Sequence, residues 1–283
     1  MNRMVNKILL YLLFVISVNK SYAQLKYSVV GFYKGRTAQA MAIWKDSAFL
    51  MSDGGICRVF NLKSKKNVRE FMLASSKENP HVNNACFVID KKSERVYPYL
   101  FVTECRNQYR CFVEDLNGDV PTIVQDIRAQ KEQKTERCLI WVVDYSEKAL
   151  YGITRYTRKQ NSKEECVNCI TKYRLPSIEE GFQVILSEKD VLDRFEVVFP
   201  NILQGCKIRG RYMYIVTGLQ ESCSDRKDSN RSIMVVDLNN KKLEKSVDLT
   251  YITTNEPEDM DFYKGKALLY CGQEGGVYEI KLK

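Results

Sequence analysis

Apolar residues along this chain come in short runs of five or six, separated by polar turns, and the order of the runs repeats. Each repeat opens on a phrase of the form polar, any, Met or Cys, any, aliphatic or Phe. It reads Gln39-Ala40-Met41-Ala42-Ile43, Asn84-Ala85-Cys86-Phe87-Val88, Glu136-Arg137-Cys138-Leu139-Ile140, Gln204-Gly205-Cys206-Lys207-Ile208 and Glu258-Asp259-Met260-Asp261-Phe262. A second run follows, as in Ala48 to Ser52, Tyr99 to Thr103 and Met213 to Thr217. A third ends on Leu, as in Cys57 to Leu62 and Ile233 to Leu238. Runs this short, rich in β-branched and aromatic residues and bounded by turn formers, predict strands.

The first residues of the phrase lie 45, 52, 68 and 54 positions apart, the period of propeller blades. The pattern therefore predicts an all-β chain, a five-bladed β-propeller of four-stranded antiparallel blades. Fourth strands are expected at Val68 to Leu73, Thr122 to Ile127, Phe182 to Leu186 and Ser246 to Leu249. The fifth repeat lacks one, and Tyr27 to Phe32 is expected to complete it and close the ring. Six blades is the alternative, with Phe195 to Phe199 seeding a degenerate blade; otherwise that stretch belongs to a long connection. In the same connection Ser187 is the expected N-cap of a short helix, with Asp190 completing a capping box.

Upstream of the repeats, Arg3 and Lys7 precede an apolar core from Ile8 to Val18, and Ser21-Tyr22-Ala23 follows. This reads as a signal peptide over residues 1–23, removed to leave one propeller domain over 24–283. The expected location is therefore periplasmic or extracellular, with no transmembrane segment in the mature chain. Formal charge is +9, of which the leader contributes Arg3, Lys7 and Lys20. The remainder forms no dense basic stripe, which argues against nucleic acid and leaves a weak preference for anionic partners.

The long polar loops fall at the starts of inner strands and between second and third strands, Arg155 to Asn168 among them, on one face of a propeller. That face frames a channel mouth lined by Gln39, Asn84, Glu136, Gln204 and Glu258. The acidic run Glu256 to Asp261 adds hard oxygen donors, so Glu136 and Glu258 are candidate ligands for calcium. His81, the only histidine, and Asp53 are weak candidates for proton transfer on the same face. Glu104 is a further acidic candidate there.

Ten cysteines in an exported chain suggest disulfides. Cys86, Cys138 and Cys206 share a phrase column with Met41 and Met260, which reads as core. Cys105 with Cys111, and Cys166 with Cys169, are the candidate bridges.

The repeat resembles the exported β-propellers of bacteria. Ala38-Gln39-Ala40-Met41 and the ending Asp261-Phe262-Tyr263 to Tyr278-Glu279-Ile280 are similar to the first and last blades of glutamine cyclotransferases. That resemblance implies a catalytic Glu on the second strand, where this chain has Met51-Ser52-Asp53; Asp53 stands one position displaced. Glu256-Pro257-Glu258 is similar to the Glu-Pro-Glu-Gly phrase of six-bladed regucalcin and gluconolactonase propellers, implying a divalent ion held in the channel. The reading that results is an exported binding or scaffold propeller taking a protein, peptide or carbohydrate through its channel mouth. The alternative is a metal-dependent, lactonase-like hydrolase or a glutamine-cyclotransferase-like enzyme.

Overall fold

The computed structural model describes residues 27–31, 38–88, 94–106, 108–130, 138–218, 231–250, 252, 255–272 and 276–282. The expected leader, residues 1–23, lies outside them. Strand β1 (Tyr27–Gly31) precedes blade 1, formed by β2 (Ala38–Trp44), β3 (Ser47–Ser52), β4 (Ile56–Asn61) and β5 (Lys66–Met72). Blade 2 contains β6 (Val82–Val88), β7 (Tyr99–Glu104), β8 (Cys111–Asp115) and β9 (Thr122–Ala129). Blade 3 starts with β10 (Cys138–Asp144), β11 (Ala149–Gln160) and β12 (Lys163–Arg174). The chain then forms β13 (Gln183–Leu186) and β14 (Val191–Val198). Blade 4 is β15 (Leu203–Arg209), β16 (Tyr212–Thr217), β17 (Ser232–Asp237) and β18 (Lys242–Asp248). Blade 5 is β19 (Pro257–Tyr263), β20 (Lys266–Cys271) and β21 (Gly276–Ile280), and β1 pairs with β21 to complete it. This is the expected five-bladed ring, closed by its N-terminal strand.

In blades 1, 3 and 4 the outermost strand is the exposed one, and the strand sequences follow this burial. The third strand Ser232–Asp237 is buried at every residue, whereas the outer strand Lys66–Met72 is almost wholly exposed. Accordingly the former reads SIMVVD and the latter KNVREFM. The charges of the outer strands keep their open edges from pairing with other chains.

The core is divided into five clusters, one between each pair of neighbouring blades. Between blades 1 and 2, Phe49, Met51 and Val59 meet Leu100, Val102 and Phe112; between blades 3 and 4, Ile140 and Ile153 meet Met213 and Ile215. Blades 2 and 3 share Phe101, Ile127, Trp141 and Leu150, blades 4 and 5 share Val216, Ile233, Met260 and Leu269, and blades 5 and 1 share Met41, Leu50 and Leu268. Each fully buried Leu, Ile or Phe contributes roughly 1.5–3 kcal/mol. The ring is thus held by its blade faces, not by one central core.

Blade 3 departs from the sequence reading. Phe182 to Leu186 was expected as its outer strand, but β13 pairs in parallel with β9 and gives blade 2 a fifth strand. Val184 and Leu186 turn inward there and join the cluster with Ile127 and Trp141, while Ile185 stays exposed. The chain then returns through Ser187, whose backbone N–H donates to Asp190 Oδ2 at 2.9 Å in the expected capping box. The true outer strand of blade 3 is β14, so Phe195 to Val198 seeds no sixth blade. The stretch from Arg155 to Asn168, expected as a loop, is the far part of a hairpin formed by β11 and β12. Its two-residue turn, Asn161-Ser162, has φ of 49° and 63° at successive residues. That positive pair is the type I′ geometry, which matches the twist of the flanking strands.

A buried polar path joins all five inner strands. Asn84 Nδ2 in blade 2 donates to the Trp141 carbonyl in blade 3 at 2.8 Å. Asn84 Oδ1 accepts from Cys206 N (3.1 Å) and Lys207 Nζ (2.8 Å) in blade 4. Lys207 Nζ in turn lies 2.9 Å from both carboxylate oxygens of Asp259 in blade 5. Asp259 Oδ2 accepts from Met41 N in blade 1 at 2.8 Å. Blades 2 and 4 are not neighbours, so the contact between Asn84 and Lys207 crosses the axis and plugs the channel at its waist. Asp261, one residue pair further along β19, accepts from Ile43 N and Phe262 N at 2.7 Å each.

Gly205 is what lets β15 come so close to β19. A Cβ at that position would lie 2.0 Å from Asp259 Oδ1 and 2.6 Å from its Cα. Both are far inside contact distance, and the Cα cannot yield without moving the strand. Gly205→Ala is expected to destabilise the fold by about 1–3 kcal/mol or more, read as a lower urea midpoint. An unchanged midpoint would show that the plug tolerates displacement.

Candidate functional site

Every inner strand carries a β-bulge near its start. The pairing skips Gln39 in β2, Asn83 in β6, Leu139 in β10, Gln204 and Gly205 in β15, and Glu258 in β19. A bulge leaves one residue unpaired and re-aims its side chain. Repeated five times, it sets a ring of residues at the channel mouth, above the plug.

This ring refines the sequence-derived set. Gln39, Gln204 and Glu258 stand at bulge positions. Asn84 stands one residue past the bulge, in the plug, and Asn83 takes the mouth position in blade 2. Counting by sequence pattern slipped by one there, because Asn83 and Asn84 are identical in type. In blade 3 the bulge falls at Leu139, and Glu136 lies outside the described residues. The same slip removes Cys86 from the column of Met41, although it is a buried core thiol as expected; Cys206 keeps that column and is also buried.

The mouth is laced by side-chain amides. Asn83 Nδ2 donates to Gln204 Oε1 at 3.1 Å, spanning the ring between blades 2 and 4. Gln204 Nε2 donates to Glu256 Oε1 at 2.7 Å. Gly218 leaves room for this contact, since a Cβ there would lie 2.2 Å from Glu256 Oε1. Gln39 Oε1 and Asn83 Oδ1 are buried acceptors with no hydrogen-bond partner among the described residues. Glu258 is only 5% exposed. Burial, then the Glu256 and Asp259 charges, push its carboxyl up to about 9, so it keeps its proton at neutral pH.

Below it, burial raises the Asp259 carboxyl to about 7, against the lowering pull of Lys207 and of the Met41 and Met260 N–H donors. Burial alone would lower Lys207, but the Asp259 and Asp261 charges outweigh that and raise it. Asp259 takes only acceptor roles, from Lys207, Met41 N and Met260 N, as a carboxylate does. Glu256 stood out in sequence within its acidic run, but neither Lys207 nor Asn83 was singled out. Lys207 in particular reads as a solvated lysine, and only its place inside the phrase could have flagged it.

His81 and Asp53 sit at the boundary of blades 1 and 2. Asp53 Oδ1 accepts from Gly54 N at 2.8 Å and its carbonyl accepts from Val82 N at 3.0 Å. The His81 carbonyl accepts from Cys105 N at 3.1 Å. Burial and Arg106 lower the imidazole below its usual range, against the opposing pull of Asp53 and Glu104, so it is neutral at pH 7. Glu104 is buried and accepts from Arg106 N and Gln108 N at 2.7 and 2.9 Å, closing its own loop.

The Cys105–Cys111 and Cys166–Cys169 bridges do not form, although Cys166 is itself disulfide-bonded elsewhere. Cys111 pairs with Thr103 across the ladder, while Cys105 lies past the strand end, and both are thiols. Burial pushes the Cys105 thiol up to about 12. Cys166 and Cys169 are three apart on β12, opposite Thr157 and Thr154, so they point to opposite faces. Cys169 is likewise a thiol. Among the described residues no three His, Cys, Asp or Glu side chains gather as a metal ion would require. No helix among them is long and apolar enough to cross a membrane.

No protein-family model matches the chain, and no curated protein sequence matches it either. Its backbone is similar to that of the Myxococcus xanthus glutaminyl cyclase, with a TM-score of 0.51 at 12% identity, covering 92% of this chain and 97% of that one. A lower similarity, TM-score 0.42 at 13% identity, links it to the β-propeller domain of Myceliophteria thermophila Cps50 (Swd1), over 87% of this chain and 84% of that domain. At these identities the likeness is one of fold.

The raised carboxyl of Glu258 sets a direction for stability against pH. A group raised on folding stabilises most below its unfolded value, and that contribution is lost as pH rises through the folded one. For Glu258 the window runs from 4.5 to about 9. Urea unfolding of the wild type is expected to show stability falling across it, and Glu258→Gln is expected to shrink the fall. Equal slopes in the two proteins would mean that Glu258 is ionised in the folded state.

Proposed function

We propose that this propeller binds a small ligand rich in N–H groups at its channel mouth, with the free amino terminus of a peptide as the best-fitting class. One observation carries this reading. Gln39 Oε1 and Asn83 Oδ1 are buried acceptors without donors among the described residues, near the protonated Glu258 and the acidic Glu256. An unpaired buried acceptor costs about 1–3 kcal/mol, which a ligand donor would relieve. An ammonium group supplies up to three donors and a charge that Glu256 favours. The acceptor-rich mouth thus supports a cationic ligand over the anionic preference drawn from net charge.

A second reading is cyclisation of an N-terminal glutamine, supported by the proton held on Glu258 and by the glutaminyl cyclase named as the Myxococcus neighbour. The α-amine would attack the side-chain amide carbonyl, forming the lactam C–N bond. The amide C–N bond would break with release of ammonia, to which the Glu258 carboxyl supplies a proton, and the carboxylate regains one from the attacking amine.

Calorimetric titration with short peptides bearing a free N-terminus tests the binding reading. Saturable binding is expected, weakened about tenfold or more by N-acetylation and by Glu256→Gln. Equal affinity for acetylated peptide would exclude it. Mass spectrometry of a Gln-initiated peptide separates the two readings, because loss of ammonia appears only with catalysis.

A further inference from the structure

At the end of the propeller opposite the mouth, blades 4 and 5 part around a cavity of about 640 Å³. Inner strand β15 ends there at Arg209, β16 begins there, and the turn between β19 and β20 forms one rim. The size falls within the range of small-molecule sites. Its walls divide by chemistry.

One wall is apolar and aromatic: Tyr214, Phe262, Ile280 and Leu282. The Tyr214 and Phe262 rings meet edge to face with centroids 5.1 Å apart, so each holds the other's orientation. The other wall is cationic, formed by Arg209, Lys266 and Lys281. The Arg209 guanidinium lies over the Phe262 ring at 4.8 Å, and its Nη1 donates to the Gly265 carbonyl at 3.2 Å. These contacts fix its plane and leave further N–H donors of its fork for a ligand. Lys266 is paired with Glu279 at 2.8 Å, so Arg209 and Lys281 carry the uncompensated charge. Among the described residues no carboxylate lines the cavity. The Tyr214 hydroxyl makes no hydrogen bond with another described residue, and the Arg209 charge acts on it.

We infer that this cavity is a second binding site, for a small amphipathic organic anion: a carboxylate or sulfonate head on an apolar body. The head would meet the fixed Arg209 fork and Lys281, and the body would lie against Phe262, Ile280 and Leu282. The inference is independent of the reading at the mouth, whose chemistry is the reverse. Charge complementarity selects the ligand class, because an uncharged apolar ligand would leave the Arg209 donors unused, while a cation would be repelled.

Fluorescence titration of the full chain with anilinonaphthalene sulfonate, with decanoate as competitor, tests the site. One saturable site is expected, emptied by decanoate and weakened by raised salt. Arg209→Gln is expected to weaken it about tenfold or more, since a charge-assisted hydrogen bond is lost. Arg209 is exposed, so this variant leaves the fold intact. Glu258→Gln at the mouth is expected to leave binding unchanged. Absence of saturable binding, or wild-type affinity in Arg209→Gln, would overturn the proposal. So would equal weakening by Glu258→Gln, which would place the dye at the mouth.

Discussion

One ammonium group holds the centre of this molecule. Lys207 reaches across the axis to Asn84 and sideways to Asp259, and those two partners reach the remaining blades through Trp141 and Met41. A propeller's blades pack only against their neighbours, so nothing in the five apolar clusters fixes the ring as a whole. The plug does. Buried ion pairs are seldom a net source of stability, because desolvation opposes the Coulomb gain. Their value here is geometric: each donor and acceptor finds its partners on specified blades, which fixes the register of the inner strands against one another. Gly205 serves the same end, since any side chain there would push Asp259 out of reach.

The bulges follow from that constraint. With the waist of the channel filled, the residues above it cannot continue the regular ladder and still face the axis. One extra residue per inner strand turns the chain, and the mouth ring results. The mouth and the plug are therefore layers of one construction. Asp259 belongs to the plug while its neighbour Glu258 belongs to the ring, and the charge of the first helps to keep the second protonated.

The repeat, the blade count and the closing strand were all legible in the sequence, because strand runs and their period depend on local composition. Gln39, Gln204 and Glu258 were also found, since a polar residue before an apolar run is conspicuous. What could not be read was register. Asn83 and Asn84 look the same in a pattern, yet one lines the mouth and the other bonds to Lys207. Phe182 to Leu186 is a good strand in isolation, and only packing against Ile127 and Trp141 decides that it joins blade 2. The hairpin around Asn161-Ser162 was missed for a different reason. Its strands are polar because they extend beyond the blade's core, so hydrophobic periodicity has nothing to report there.

Pairing β1 with β21 has a consequence for how the molecule is made. These are the first and last of the described strands, and their pairing joins Tyr27 to Ile280. Blades 1 to 4 hold all their own strands and can form as they leave the ribosome. Tyr27–Gly31 must wait, unpaired, until Gly276–Ile280 emerges. At typical translation speeds that wait is on the order of tens of seconds, during which an idle strand is open to wrong pairings. The ring is therefore most vulnerable before its birth is complete, and its yield in a cell depends on what shields that first strand.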